Sequence, residues 1–190
     1  MCKRNYIPTM EAIMKNFKEM NNEEIKEEFI KWFGEDKWED EETLSFVEQL
    51  LWIVCDEYLG IEPIPVIFEE VPGNISVLDI KLQCIKLNPK YKDDKVILVA
   101  AAVHELEHWY QILYVSCMDT PKAKRWRAEL ENYISDKNPN MNVLQEIEID
   151  AEAFTEVILD NEFGITYRNP NPTLQELIDE YIRSKKILEE

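Results

Sequence analysis

His104-Glu105-Leu106-Glu107-His108 holds the only two histidines of the chain, four residues apart, with a glutamate directly after the first. On an α-helix, positions i and i+4 project from one face, so both imidazoles can reach a single metal ion. Glu105 then stands beside them, close enough to hold a water at that metal. The reading requires a helix, and the flanking sequence supplies one from roughly Asp93 to Cys117. Ala100, Ala101 and Ala102 come directly before the motif, and side chains this small let the helix lie close to a sheet or another helix.

Upstream, the pattern changes twice. The first 60 residues read as helices. Pro8-Thr9 opens one that runs towards Met20. Asn22 caps a second, with Ile25, Phe29, Ile30 and Phe33 as its apolar stripe and Gly34 at its end. A third spans Glu41 to Leu59, carries Leu44, Val47, Leu51 and Val54 inward, and stops at Gly60. The acidic stretch from Glu35 to Glu42 reads as a solvated loop flanked by Trp32 and Trp38, both in packing roles. From Ile64 to Val71 the residues turn β-branched and aromatic, and the turn signal Pro72-Gly73-Asn74 follows. Ile75 to Ile80 and Cys84 to Leu87 make two further strands, closed by Asn88-Pro89, so a small three-stranded sheet precedes the motif helix.

Downstream, Thr120-Pro121 forms an N-cap and first-turn pair for a helix to about Ile134, broken by Asn138-Pro139-Asn140. Another helix runs from Asn142 to Phe163 and stops at Gly164. Thr173-Leu174-Gln175-Glu176 has the form of a capping box and opens an amphipathic helix through Leu188. The expectation is an α+β chain in three parts: a helical region over 1–60, a core over 61–168 and a C-terminal helix over 169–190.

Composition narrows the function classes. Hydrophobic residues make up 45%, enough for a core and against wholesale disorder. The chain carries 39 acidic and 21 basic residues, a formal charge of −18 that argues against nucleic acid and anionic membranes as partners. The acidity itself reads as a solubility feature. Cys2, Cys55, Cys84 and Cys117 show no CxxC pairing, so neither a zinc ribbon nor a disulfide framework is expected. Three of them lie in apolar stretches, where cysteine behaves as a small buried hydrophobe. Charged residues interrupt the first twenty positions, so no secretory signal is read there. The longest apolar run, Val96 to Val103, is too short to cross a bilayer. A soluble cytoplasmic protein is expected.

A catalytic zinc takes three protein ligands and leaves a position open for water. With no third histidine in the chain, a carboxylate is the natural candidate, and the helix after residue 140 offers Glu146, Glu148, Asp150 and Glu152. Its apolar stripe is Ile147, Ala151, Phe154 and Ile158. Glu148 and Glu152 flank one side of the stripe, Glu146 and Asp150 the other, and helical geometry does not choose among them. A di-iron carboxylate bundle would need a second Glu-x-x-His element, for which no histidine remains.

The two helical motifs resemble those of gluzincin zinc peptidases, most nearly the small ImmA/IrrE-type metallo-endopeptidases. These join an HExxH helix to a later helix reading Glu-x-x-Ala-x-x-Phe and then a small residue. Glu148-Ile149-Asp150-Ala151-Glu152-Ala153-Phe154-Thr155 fits that pattern, and the likeness spans about residues 60 to 165. It implies a zincin-like fold, Zn2+ held by His104, His108 and Glu148, and Glu105 as the general base of peptide hydrolysis. It further implies a peptide or protein substrate, for instance a regulatory protein such as the repressor of a mobile element. The chain departs from the pattern at Glu107, where glycine or another residue is usual and a glutamate adds negative charge beside the site. It departs again at Glu152, where Asp or Asn is frequent, leaving open which group supports a ligating histidine.

A side chain is expected to stabilise the oxyanion; several tyrosines could supply it, and nothing in the spacing selects one. An extended peptide is expected along the sheet edge, with the strand near Ile85 as the candidate. Lys122, Lys124, Arg125 and Arg127 read foremost as a solvated helix face and secondarily as a grip on an acidic segment. Trp109 and Tyr110 either shape a pocket or pack. The competing reading of the whole is a non-catalytic zincin-fold binding module with a structural or vestigial metal site; Glu105 argues against it, since such a site needs no base.

Overall fold

In the computed structural model, which describes residues 21–34, 40–132 and 145–185, the chain is α+β and mostly helical. Helix α1 (Asn22–Phe33) opens on a capping box one residue earlier than its expected cap. The Asn21 side chain accepts from Glu24 N at 3.1 Å, and Glu24 Oε2 accepts from Asn21 N at 2.9 Å. Asn22 instead turns its amide to Asp56 and Glu57. Ile25, Phe29 and Trp32 are the buried stripe of α1, while Ile30 is 51% exposed. Spacings of four and then three follow the helical period, and Ile30 falls outside it.

Helix α2 (Asp40–Val54) buries Val47, Leu51 and Val54 and runs into a π-helical turn, Cys55–Leu59. Gly60 ends it at φ 61°, donating its N–H to Cys55 O, in a left-handed conformation that favours glycine. The helix expected from Pro8, Trp38 and the Asn138-Pro139-Asn140 break lie outside the described residues.

Strands β1 (Val66–Phe68), β2 (Ser76–Asp79) and β3 (Cys84–Leu87) form a mixed sheet in the order β1-β3-β2. β1 runs parallel to β3 with Val66 opposite Ile85, and β2 runs antiparallel to it with Leu78 opposite Ile85. Ile85 therefore sits in the central strand, fully buried, and the expected docking edge near it does not exist. Both of its backbone edges are already hydrogen-bonded; the outer strand next to the motif helix is β2.

A 3₁₀ turn (Pro89–Tyr91) leads to helix α3 (Lys95–Cys117), capped by Asp94, whose side chain accepts from Ile97 N. α3 carries the motif and is buried nearly all round, with Leu98, Val99, Ala100, Ala102, Val103, Leu106 and Val115 inside. A helix apolar on most faces belongs at the centre of a fold. It lies against β2, β3, α2 and the two helices that follow. At its first turn Lys95 Nζ donates to Trp32 O at 2.5 Å and Phe33 O at 3.1 Å, satisfying carbonyls at the end of α1.

Helix α4 (Pro121–Glu131) starts as read, with the Thr120 side chain accepting from Ala123 N and Pro121 in the first turn. Helix α5 (Glu146–Phe163) ends at Gly164 in the left-handed region. Helix α6 (Pro172–Lys185) opens differently from the expected box at Thr173. Asn171 Oδ1 accepts from Thr173 N and Leu174 N, and Pro172, which has no N–H to satisfy, takes the first position. Cys55 and Cys84 are buried as expected, whereas Cys117, in the last turn of α3, is exposed. Among the described residues no helix is long and apolar enough to cross a membrane.

One hydrophobic cluster runs from Ile25 in α1 through α2, the sheet, α3 and α5 to Ile165. Phe29 joins the first and last of these helices, its ring 5.4 Å from Trp32 and 5.1 Å from Phe163. Phe29→Ala is expected to cost roughly 3–5 kcal/mol. At about 2–4 °C per kcal/mol for a chain of this size, the melting temperature should fall by about 10 °C. A calorimetric shift of only a degree or two would mean that α1 is not part of the cooperative core.

Candidate metal centre

α5 packs along α3 through the stripe read from the sequence, and Ile147, Ala151 and Ile158 are fully buried there. Glu148 is one residue past Ile147, so its side chain emerges at the margin of this contact, facing the motif. His104 Nε2 and His108 Nε2 are 3.0 Å apart. Glu148 Oε2 lies 3.5 Å from His104 Nε2, and Glu148 Oε1 lies 3.5 Å from His108 Nε2. One ligand atom from each of the three residues falls within 4.8 Å of the others, and the cluster could hold a metal ion.

The remaining acids of α5 turn elsewhere. Glu146 pairs with Arg125 at 3.1 Å. Asp150 is buried and accepts from Tyr181 Oη and Gln111 Nε2. Glu152 approaches the far nitrogen of His104, Nδ1, at 3.7 Å and accepts from Tyr167 Oη at 3.3 Å. Glu152, in the place where Asp or Asn was expected, thus stands behind His104.

Glu105 is half-buried, and Ser76 on β2 donates to its Oε1 at 2.8 Å. This bond ties the outer strand to the motif. Ser76 was not singled out in the sequence; a hydroxyl inside Ile75-Ser76-Val77-Leu78, an otherwise apolar strand, was the available signal. Gln111 was also missed. It is fully buried, three residues after His108, with its Oε1 2.9 Å from His108 Nδ1.

Electrostatics bind the three groups to one another. Burial opposes charge on His104, yet Glu148, Glu152 and Glu105 outweigh it and push the imidazole up to about 9. Burial would also raise the Glu148 carboxyl, but the two imidazoles hold it well below the usual carboxylate range. Burial works against the negative charge expected of Glu107. At 3% exposure and beside Asp150, its carboxyl is pushed well above its ordinary value, which favours the neutral acid.

The basic cluster is taken up within the chain. Lys122 lies over the Trp126 ring, Lys124 pairs with Asp119, Arg125 with Glu146, and Arg127 donates to Val115 O and Met118 O at the end of α3. Trp109 is buried in the main core, and Tyr110 packs on Tyr114 beside the smaller cluster of Val115, Trp126 and Ile147. Of the tyrosines nearest the centre, Tyr167 and Tyr181 both commit their hydroxyls to carboxylates of α5.

Comparison of the chain with protein-family models, with curated proteins and with solved structures finds no match.

The raised His104 value sets a pH dependence. A histidine raised from 6.5 to about 9 stabilises the metal-free fold fully below 6.5 and loses that contribution as pH rises through 9. A carboxyl lowered from 4.5 stabilises above 4.5 and loses that contribution as pH falls. The triad therefore supports the metal-free protein best between 4.5 and 6.5. A divalent ion must displace the His104 proton, so its affinity should rise about tenfold per pH unit from neutrality to about 9 and then level off. Calorimetry in buffers of different ionisation enthalpy should register that proton leaving. Affinity independent of pH over this interval would remove His104 from the ligand set.

Proposed function

We propose that the chain is a zinc-dependent endopeptidase with a zincin-like core over 61–168, of the gluzincin type that the ImmA/IrrE-like motifs suggest. The observation that carries the proposal is the mutual spacing of His104 Nε2, His108 Nε2 and the Glu148 oxygens. Ligands about 2.0–2.1 Å from a tetrahedral zinc stand about 3.3 Å from one another. The three separations here, 3.0, 3.5 and 3.5 Å, bracket that value. Two imidazoles and one carboxylate are also a donor set that zinc takes at hydrolytic sites, with a position left for water.

Bound there, zinc supplies polarisation of the scissile carbonyl and a lowered pKa for its water. The chain's residues supply the rest. Glu105, on the same face as both histidines, takes the proton as the water oxygen attacks the carbonyl carbon, and then hands it to the leaving amine. Ser76 holds the Glu105 carboxylate in place while leaving its second oxygen for this exchange. An extended peptide lies along the outer edge of β2 by strand addition, because Ser76 places that strand beside the base. Val77, at 36% exposure, gives this edge an apolar surface for substrate side chains. The substrate class is a peptide or protein, a regulatory protein foremost, met in the cytoplasm.

Glu105→Gln should reduce cleavage of a peptide library by at least about 10²-fold while leaving zinc content unchanged. His104→Ala and Glu148→Ala should each lose the metal, as read by mass spectrometry of the purified protein. If the wild-type chain holds zinc but cleaves no peptide, the binding-module reading replaces this one; if it binds no zinc, the metal reading fails altogether.

A further inference from the structure

Gln111 has no place in the HExxH pattern or in the Glu148 helix motif, yet its amide is fully buried against the second histidine. Its two ends have different partners. Nε2 lies 2.9 Å from Ile147 O and 3.2 Å from Asp150 Oδ2. A backbone carbonyl can only accept, so the end of the amide facing Ile147 must be the NH2 group. The choice between the two amide orientations, ordinarily a matter of inference, is settled by that partner. The carbonyl end, Oε1, therefore faces His108 Nδ1 at 2.9 Å, and Oε1 can only accept. In its neutral form His108 must then carry its proton on Nδ1, which leaves the lone pair of Nε2 directed at His104 and Glu148.

We propose that Gln111 is a positioning residue of the metal centre: it locks His108 in the Nδ1–H tautomer and fixes its ring, so that Nε2 is ready to ligate before any ion arrives. The hold reaches across the fold. Ile147 O belongs to α5, immediately before the Glu148 ligand, so one amide sets the second histidine of α3 against the carboxylate of α5. Asp150, the other acceptor, is fixed from outside by Tyr181 of α6, whose hydroxyl donates to Oδ1 at 2.5 Å. The C-terminal helix, which the family likeness does not cover, thereby supports the centre through a chain of hydrogen bonds: Tyr181 to Asp150, Asp150 to Gln111, Gln111 to His108. A histidine that ligates a metal through one ring nitrogen commonly has its other nitrogen held in this way, and loss of the partner typically weakens metal binding by about 10–100-fold.

The inference rests on the metal-site reading, but its first test needs no metal. With only two histidines in the chain, long-range ¹⁵N–¹³C correlation of the imidazoles in metal-free protein resolves both rings. Recorded at alkaline pH, the neutral His108 ring of the wild type should show its proton on Nδ1. Gln111→Leu should shift it towards the Nε2–H form and weaken zinc binding by about 10–100-fold in chelator competition. Gln111→Glu, which keeps an oxygen for the Nδ1–H but loses the donor to Ile147 O and Asp150, should restore the Nδ1–H form while recovering the affinity only in part. This variant also decides the matter if the leucine variant fails to fold.

A wild-type His108 carrying its proton on Nε2 would overturn the proposal. So would a folded Gln111→Leu variant whose zinc affinity stays within about twofold of the wild type. A wild type that binds no zinc would overturn the metal reading, while the ring spectra would still judge what Gln111 does to His108.

Discussion

The contact between α3 and α5 is the constraint on which the rest of the structure depends. Ile147, Ala151 and Ile158 on one side and the buried length of α3 on the other bring three titratable groups into a region largely closed to water. Taking charges out of water is costly unless each meets an opposite charge or a hydrogen bond. Here the groups meet one another: the imidazoles depress the Glu148 carboxyl, and the carboxylates raise His104. The same cluster could hold a divalent cation, and a proton on His104 answers the surrounding carboxylates in the metal-free state. The cluster is built to favour positive charge at its centre.

Around that contact, polar bonds hold secondary elements in fixed relation to the site. Ser76 links β2 to Glu105, and Tyr167 reaches Glu152 behind His104. Lys95 closes the end of α1 with the beginning of the motif helix, with its ammonium also 4.7 Å from the Trp32 ring centre. Lys26 bridges Glu57 and Glu162, so α1, the π-helical turn and α5 share one cation. The outer helices thus share both apolar core and ion pairs with the segment that carries the motifs.

Much of this was legible in the residues. The motif helix, the strand at Cys84–Leu87, the Thr120 cap and the stops at Gly60 and Gly164 all rest on local rules: period, cap chemistry and left-handed backbone. Local rules also misplaced two helix starts by a residue or two, at Asn21 and Asn171, where several polar side chains compete for the same backbone N–H groups. Ile30 looked apolar enough to be buried, but the stripe that packs is Ile25, Phe29 and Trp32, and Ile30 stays 51% exposed.

What the sequence by itself determined is the pairing of the two histidines on one helical face with Glu105 beside them, because a spacing of four residues on a helix leaves no other arrangement. It also determined an α+β chain and its capped helices. Only the tertiary structure decided the strand order, which puts β3 at the centre and β2 beside Glu105, since strand partners are chosen across long stretches of chain. It likewise decided which of four acids on α5 faces the imidazoles and which polar groups stand behind them. Glu148, Glu152, Gln111 and Ser76 acquire those places from the way helices and sheet pack, a property of contacts between segments that no single segment contains.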